Sequence, residues 1–416
     1  MKDPREGGRA WTIAWFALAH LLLVAVVFEL IYTSTYGDFA IYWRYGRNVL
    51  LGHLPYAAFP AEYPPLAFVF FALPTFASFG NIGVFYPAWI AEVYIADVVV
   101  LATLYGMAQR RGVSPFLVLG AYTVLFGLVG PLTVREFDMF PAALTLLALS
   151  AFEAGRERRG WFWLALGVMT KLYPILLAPV ILLRKGGRVS GREIARGAAI
   201  GIGTCLALTL PWIILAPKSL LGFVRYHAER GLQLESTYSS VVLAARALHL
   251  ASAATANGFG SWNVTGAAAA AALRMSTFVL VVALVAAYAV CAVAFRRGRQ
   301  TDALTQDHAL LAACCALVVL AAMITSKVLS PQYLVWVLPL LALATGPGRM
   351  RRWVLFGAIA IATYYIFPRH YRALITMQPV PVAVLVARNL MLVSLTVLLA
   401  IDILRRHSAP RAAAAA

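Results

Sequence analysis

Stretches of roughly 20 apolar residues recur along this chain from Trp11 to Leu404, and no other feature limits the fold as severely. A segment of that length crosses the hydrocarbon of a bilayer as a helix, with its backbone hydrogen bonds made internally. With 62% hydrophobic and 12% charged residues among 416, and a mean hydropathy of +0.80, most of the surface must meet lipid. A soluble enzyme is excluded. The expected fold class is all-α: a polytopic transmembrane helical bundle of roughly eleven to thirteen helices. It forms one integral membrane domain over 1–410, with an Ala-rich disordered tail at 411–416.

The net charge of +18 does not form one face of a basic helix, so no nucleic acid partner is implied. The charges sit between apolar runs, at Lys2/Arg5/Arg9, Arg110/Arg111, Arg156/Arg158/Arg159, Arg184/Lys185/Arg188, Arg296/Arg297/Arg299, Arg349/Arg351/Arg352 and Arg405/Arg406/Arg411. Such clusters mark cytoplasmic loops, and they favour contact with anionic membrane lipids. Cys205, Cys291, Cys314 and Cys315 lie inside apolar runs and read as small buried hydrophobes. The first run, Trp11 to Tyr32, is too long for a signal-peptide core and reads as the first span.

A first span at about 11–33 delivers the loop 33–64 to the outside. Within it, Asp38 to Leu51 places Phe39, Tyr42, Trp43, Gly46 and Leu50 on one face, with Gly52 as a stop, which predicts a short helix lying in the interface. Runs at 65–79 and 84–108 precede Arg110/Arg111, and parity fails if both cross. Either 65–79 dips without crossing, or the basic rule breaks locally. Runs at 113–131 and 139–153 flank an outer turn holding Arg135, Glu136 and Asp138. Trp161 to Leu183 lies between two basic clusters, yet suffices for one crossing only. Lys171 and Pro174 interrupt it, so two short arms meeting inside the membrane restore parity. A span at about 194–216 leads to the large outer loop 217–266, and runs at 267–295, 308–325, 333–345, 352–367 and 381–404 complete the bundle.

Uncommon charged and hydrogen-bonding residues thereby gather on the outer side, and ionisable groups near a membrane mark function more often than stability. Asp38 suits a general base taking a proton from an attacking hydroxyl, and suits a helix N-cap equally well. Glu62, before Pro64 and Pro65, reads as a solvated loop residue or a sugar ligand. In the stretch 225–237, Arg230 and protonated His227 suit a phosphate, while Glu229 and Glu235 suit cation orientation or sugar hydroxyls. The rival reading is a loop of surface ion pairs. Lys171 needs an anion or a watery cavity, or else snorkels to an interface. Lys327, Gln332 and Tyr333 stand where a helix begins, and polar capping is their plain alternative. No metal-binding or nucleotide-binding motif is present, which fits a leaving group bearing one phosphate whose charge fixed cations stabilise. A transporter or lipid flippase would instead carry charges near the bilayer midplane in repeated halves, and no repeat is visible.

Several short segments occur in a telling order: Tyr36-Gly37-Asp38-Phe39 with Tyr42, Gly52-His53-Leu54-Pro55-Tyr56, Glu62-Tyr63-Pro64-Pro65, Lys171-Leu172-Tyr173-Pro174, Arg230 to Ser236, and Ser330-Pro331-Gln332-Tyr333-Leu334-Val335-Trp336. Together they resemble glycosyltransferase family 87, polytopic enzymes of C-type glycosyltransferase architecture with external juxtamembrane helices. The resemblance implies transfer of a sugar, usually mannose, from a polyprenyl-phosphate donor to a hydroxyl of a lipid-linked glycan on the outer face of the plasma membrane. No cofactor besides the donor substrate is implied. The family's acidic base maps onto Asp38. The donor phosphate falls to Arg230, His227, Lys171 and Lys327, and sugar or acceptor to Glu62, Glu235, Gln332 and Tyr333. Some mannosyltransferase relatives carry a His pair where this chain has Gln332-Tyr333, a departure that moves any histidine role to His227.

Overall fold

The computed structural model describes residues 4–28, 38–185, 190–219, 221–300 and 308–405. The start of the first outer loop, including Tyr36 and Gly37, and the tail 411–416 lie outside the described residues. The helices in chain order are α1 (Pro4–Leu22, continuing as a π-helical stretch, Leu23–Phe28), α2 (Phe39–Leu50), α3 (Ala67–Ala77), α4 (Ile82–Arg110), α5 (Pro115–Val129), α6 (Met139–Glu153), α7 (Glu157–Thr170) and α8 (Ala178–Lys185). They continue with α9 (Gly191–Leu215), α10 (Gly222–Glu229), α11 (Thr237–Ala247), α12 (Ala267–Gln300), α13 (His308–Thr325), α14 (Leu334–Leu343), α15 (Arg349–Tyr364) and α16 (Pro379–Arg405). Among the described residues, five helices are long and apolar enough to cross a bilayer alone, with cores at Gly8–Val26, Ile82–Arg110, Gly191–Leu215, Ala267–Gly298 and Pro379–Arg405.

The basic clusters converge at one end of the bundle. Arg111, just beyond α4, pairs with Glu153 at the end of α6 and donates to the Leu343 carbonyl at the end of α14 (3.0 Å). Arg352 on α15 pairs with Asp402 on α16, and Arg297 on α12 reaches the Leu404 carbonyl (3.1 Å). Each cation sits at a helix terminus whose carbonyls would otherwise lack partners.

At the opposite end two local problems are solved. Helix α3 has 11 residues, about 16 Å of rise, half of what a crossing needs. It packs against α2, and by length alone it does not suffice for a crossing. The segment 157–185 forms a hairpin: α7 climbs to Lys171, whose backbone is extended (φ −156°, ψ 140°), and a 3-10 turn over Tyr173–Leu177 leads into α8. Arg184 and Lys185 at the foot of α8 reach Glu157 at the foot of α7 (3.7 and 3.2 Å), so both arms are rooted at the basic end. Pro174 cannot continue the ladder of α7, which is why the chain turns there.

Helices α5 and α6 have 15 residues each, about 22 Å, and are shorter than the five long apolar helices. The loop 217–266 and the turn between α5 and α6 face a common cavity, which the loop roofs. It departs from all-helical structure in one small antiparallel sheet, β1 (Leu232–Gln233), β2 (Ala254–Gly258) and β3 (Ser261–Thr265), in the order β1-β3-β2. Phe259 and Gly260 both have positive φ (53° and 66°) and make the tight turn of the β2–β3 hairpin.

Candidate active site

Under this roof lies a cavity of about 790 Å³. Asp38, Glu62, Lys171, His227, Arg230, Glu235, Gln332 and Tyr333 all line it, although five separate segments supply them. Lys327 does not. Its ammonium donates to the Ala228 carbonyl (2.8 Å) and closes the last turn of α10.

Asp38 stands at the N-cap of α2, but its side chain makes no capping bond. Only its carbonyl serves the helix, accepting from the amides of Ile41 (2.8 Å) and Tyr42 (3.0 Å). The carboxylate is left to the cavity, with no hydrogen-bond partner among the described residues. Burial pushes it up to about 6; Glu62 and Asp138 add to the rise, while Lys171 and Arg230 oppose it. A carboxylate tuned this way is a stronger base than a solvated one and is still ionised at neutral pH.

The position of Asp38 depends on how closely α2 meets α3. A Cβ on Gly46 would lie 2.1 Å from the Phe71 carbonyl, so only glycine permits the contact. Tyr42, four residues beyond Asp38, stacks on Phe71 (5.0 Å) and donates to Glu136 (2.9 Å). Glu136 lines the cavity too, and burial, with Asp38 second, holds its carboxyl well above the ordinary carboxylate range. Glu62 accepts from Tyr45 (2.7 Å) on α2, which tethers the Glu62 loop to the same helix.

Lys171 crowns the α7–α8 hairpin. Its ammonium bonds Asp138 (2.6 Å) and lies over the rings of Trp336 (5.2 Å), Tyr333 (5.3 Å) and Tyr63 (5.7 Å). The lysine therefore has both the anion and the watery cavity that its sequence position demands, and it does not snorkel. Tyr333 stacks on Trp336 (3.9 Å), giving the floor a flat aromatic surface.

Arg230 follows α10. Its guanidinium lies over the Tyr226 ring (5.9 Å), its Nε is buried without a partner, and it has no carboxylate partner among the described residues. His227 differs. Burial and the neighbouring Arg230 push its imidazole down to about 4, so it is neutral at physiological pH. Its Nε2–H donates to the Glu62 carbonyl (3.0 Å), which leaves Nδ1 as an acceptor. In this neutral form the bare lone pair suits a hydroxyl donor, and a phosphate contact would require protonation of the ring. Glu235 is also partly committed. Arg388 on α16 donates to it (3.1 Å), both side chains being 1% exposed, so this carboxylate braces the outer loop against the last span as well as lining the cavity.

The family model of glycosyltransferase family 87 matches residues 62–326, well over half of the chain. The chain belongs to that family. It is a membrane glycosyltransferase, not the transporter or flippase held as its rival. No curated protein matches the chain. The crystal structure of ArnT from Cupriavidus metallidurans in the apo state is similar at 14% identity and a TM-score of 0.47, over 92% of this chain and 76% of that one. The family match begins at Glu62, so Asp38, and likewise the segment 330–336, enters the site on geometry alone.

Sequence reasoning missed several residues in and around this cavity. Glu136 and Asp138 are legible only as outer charges, because their partners Tyr42 and Lys171 stand 94 and 33 residues away. Arg372, in the short helix Tyr371–Ile375, is exposed on the cavity wall without a partner among the described residues, and nothing in its local sequence distinguishes it. The β2–β3 hairpin contributes Asn257, Phe259 and Trp262, and Gly258 with Gly260 was the available signal. Among the described residues, no three His, Cys, Asp or Glu side chains are placed to hold a metal ion.

Proposed function

We propose that the protein transfers a sugar, read as mannose, from a polyprenyl-phosphate donor to a hydroxyl of a lipid-linked glycan, at the outer face of the plasma membrane. One observation carries this reading: Asp38 and Arg230, a tuned base and an unpartnered guanidinium, line a single cavity and influence each other electrostatically. The step is a single displacement. The acceptor hydroxyl gives its proton to Asp38 as its oxygen forms a bond to the anomeric carbon. The bond from that carbon to the phosphate oxygen breaks, and the carrier phosphate leaves with the electron pair and a second negative charge. Arg230 stabilises that charge through forked N–H donors, with Lys171 nearby, and the configuration inverts. No metal ion and no cofactor besides the donor is assigned. Glu62, Gln332 and the Nδ1 of His227 offer acceptors and donors to sugar hydroxyls, and Tyr333 offers a ring face.

The test is incubation of the purified protein in lipid with radiolabelled polyprenyl-phosphate sugars and a membrane lipid extract. Label is expected to move from polyprenyl-phosphate mannose to a glycolipid. Transfer from a nucleotide sugar, with none from any polyprenyl carrier, would overturn the donor assignment.

A further inference from the structure

Asp138 is the fully buried carboxylate of the site: it is 0% exposed and does not line the cavity, yet it holds a residue that does. Its Oδ1 accepts from Lys171 (2.6 Å) and from the Trp336 indole, while its Oδ2 is buried with no partner. Lys171 lines the same cavity as Asp38 and Glu136 and acts electrostatically on both; Glu136 already accepts from Tyr42, whereas the carboxylate of Asp38 is open to it. An ammonium paired to Asp38 would occupy the oxygen that must take the acceptor's proton and would lower its basicity. We propose that Asp138 is a positioning residue that draws Lys171 away from Asp38, keeping the base free while holding the cation at the cavity floor. This rests on Asp38 being the base, as proposed above.

The geometry favours a holding role over simple charge neutralisation. Lys171 lies in a box of Tyr63, Tyr333 and Trp336, and Trp336 itself donates to Asp138, so the carboxylate fixes both the cation and one wall of its box. Asp38 is faced by charged groups from every neighbouring segment: Glu62 before α3, Glu136 and Asp138 between α5 and α6, Lys171 on the hairpin tip, and Arg230 after α10. The phenols of Tyr42, Tyr63, Tyr226 and Tyr371 also feel its charge. Of the charged groups, Asp138 and Lys171 are the oppositely charged pair joined by a hydrogen bond.

The experiment measures transfer against pH for wild type, Asp38→Asn, Asp138→Asn, Lys171→Met and the double variant Asp138→Asn/Lys171→Met, in the same lipid. In Asp138→Asn the freed ammonium approaches Asp38 and a neighbouring negative charge is lost. Both changes lower the base's pKa, so the acid limb of kcat moves down by about one pH unit and the plateau falls about tenfold or more. In the double variant the competing cation is absent, and the limb returns upward with partial recovery of kcat. The double variant also removes the unpaired buried lysine, so it reports even if Asp138→Asn does not fold. An unmoved limb in Asp138→Asn, or a double variant with its limb lower than the wild type's by a unit, overturns the positioning role while the base stands. Full activity in Asp38→Asn overturns the underlying reading instead.

Discussion

Two of the buried polar clusters in this bundle are finished differently. Between α1, α4 and α5, His20 contacts Asp97 (2.7 Å) and Thr123 (2.8 Å), and Tyr122 donates to the other oxygen of Asp97 (2.6 Å). His20 and Asp97 are both 0% exposed, and each of their side-chain nitrogens and oxygens has a partner. At the cavity, Asp38 and Arg230 have no hydrogen-bond partner among the described residues, and behind its lining one oxygen of Asp138 is buried bare. A polar group inside a membrane protein costs free energy unless it is paired, so the first cluster closes on itself and fastens α1, most of whose surface faces outward. The second is left open, as a site must be if its ligand is to complete it.

The largest effect is expected of Asp38→Asn, which should cut transfer by about 10³-fold or more while leaving the fold intact. Activity in lipid vesicles together with a thermal unfolding curve reads both quantities. Arg230→Gln is expected to lower kcat/KM for the polyprenyl-phosphate donor by about 10²-fold, measured by donor titration at saturating acceptor. Asp97→Asn should behave in the opposite way. Breaking that closed pair should lower stability by about 3 kcal/mol, seen as a drop in Tm, with turnover per folded molecule unchanged. The smallest effect concerns pH. Because the pKa of Asp38 is raised from 3.8 to about 6, its ionisation works against the fold. The protonated group contributes equally to both states below pH 4, and the penalty grows from there and is complete above about 6. Asp38→Asn should therefore melt above wild type at pH 7.5, with the gap closing as pH falls towards 4. Wild-type transfer should fall on the acid side with a midpoint near 6.

Much of this was readable before any coordinates. The run 139–153 is α6 to the residue, and the aromatic face from Asp38 to Leu51 is α2 with its glycine stop. The lone Lys171 beside Pro174 marked the tip of a hairpin, because two basic clusters so close together cannot bracket a whole crossing. What the sequence hid was pairing and protonation. Glu235 looked like a sugar ligand because Arg388, 153 residues further on, lies inside an apolar run that reads only as a span. His227 looked cationic because its burial, and the carbonyl of Glu62 165 residues earlier, belong to the folded state alone. Asp138 was one acid among several until α7 brought Lys171 back to it.

The shortness of α5 and α6 has one more consequence. At about 22 Å they fall some 8 Å short of a hydrocarbon layer roughly 30 Å thick. With the lipid-carrier donor proposed above, a shortfall of that size would let the reacting phosphate stay near the level of the leaflet's own headgroups instead of moving out into bulk water.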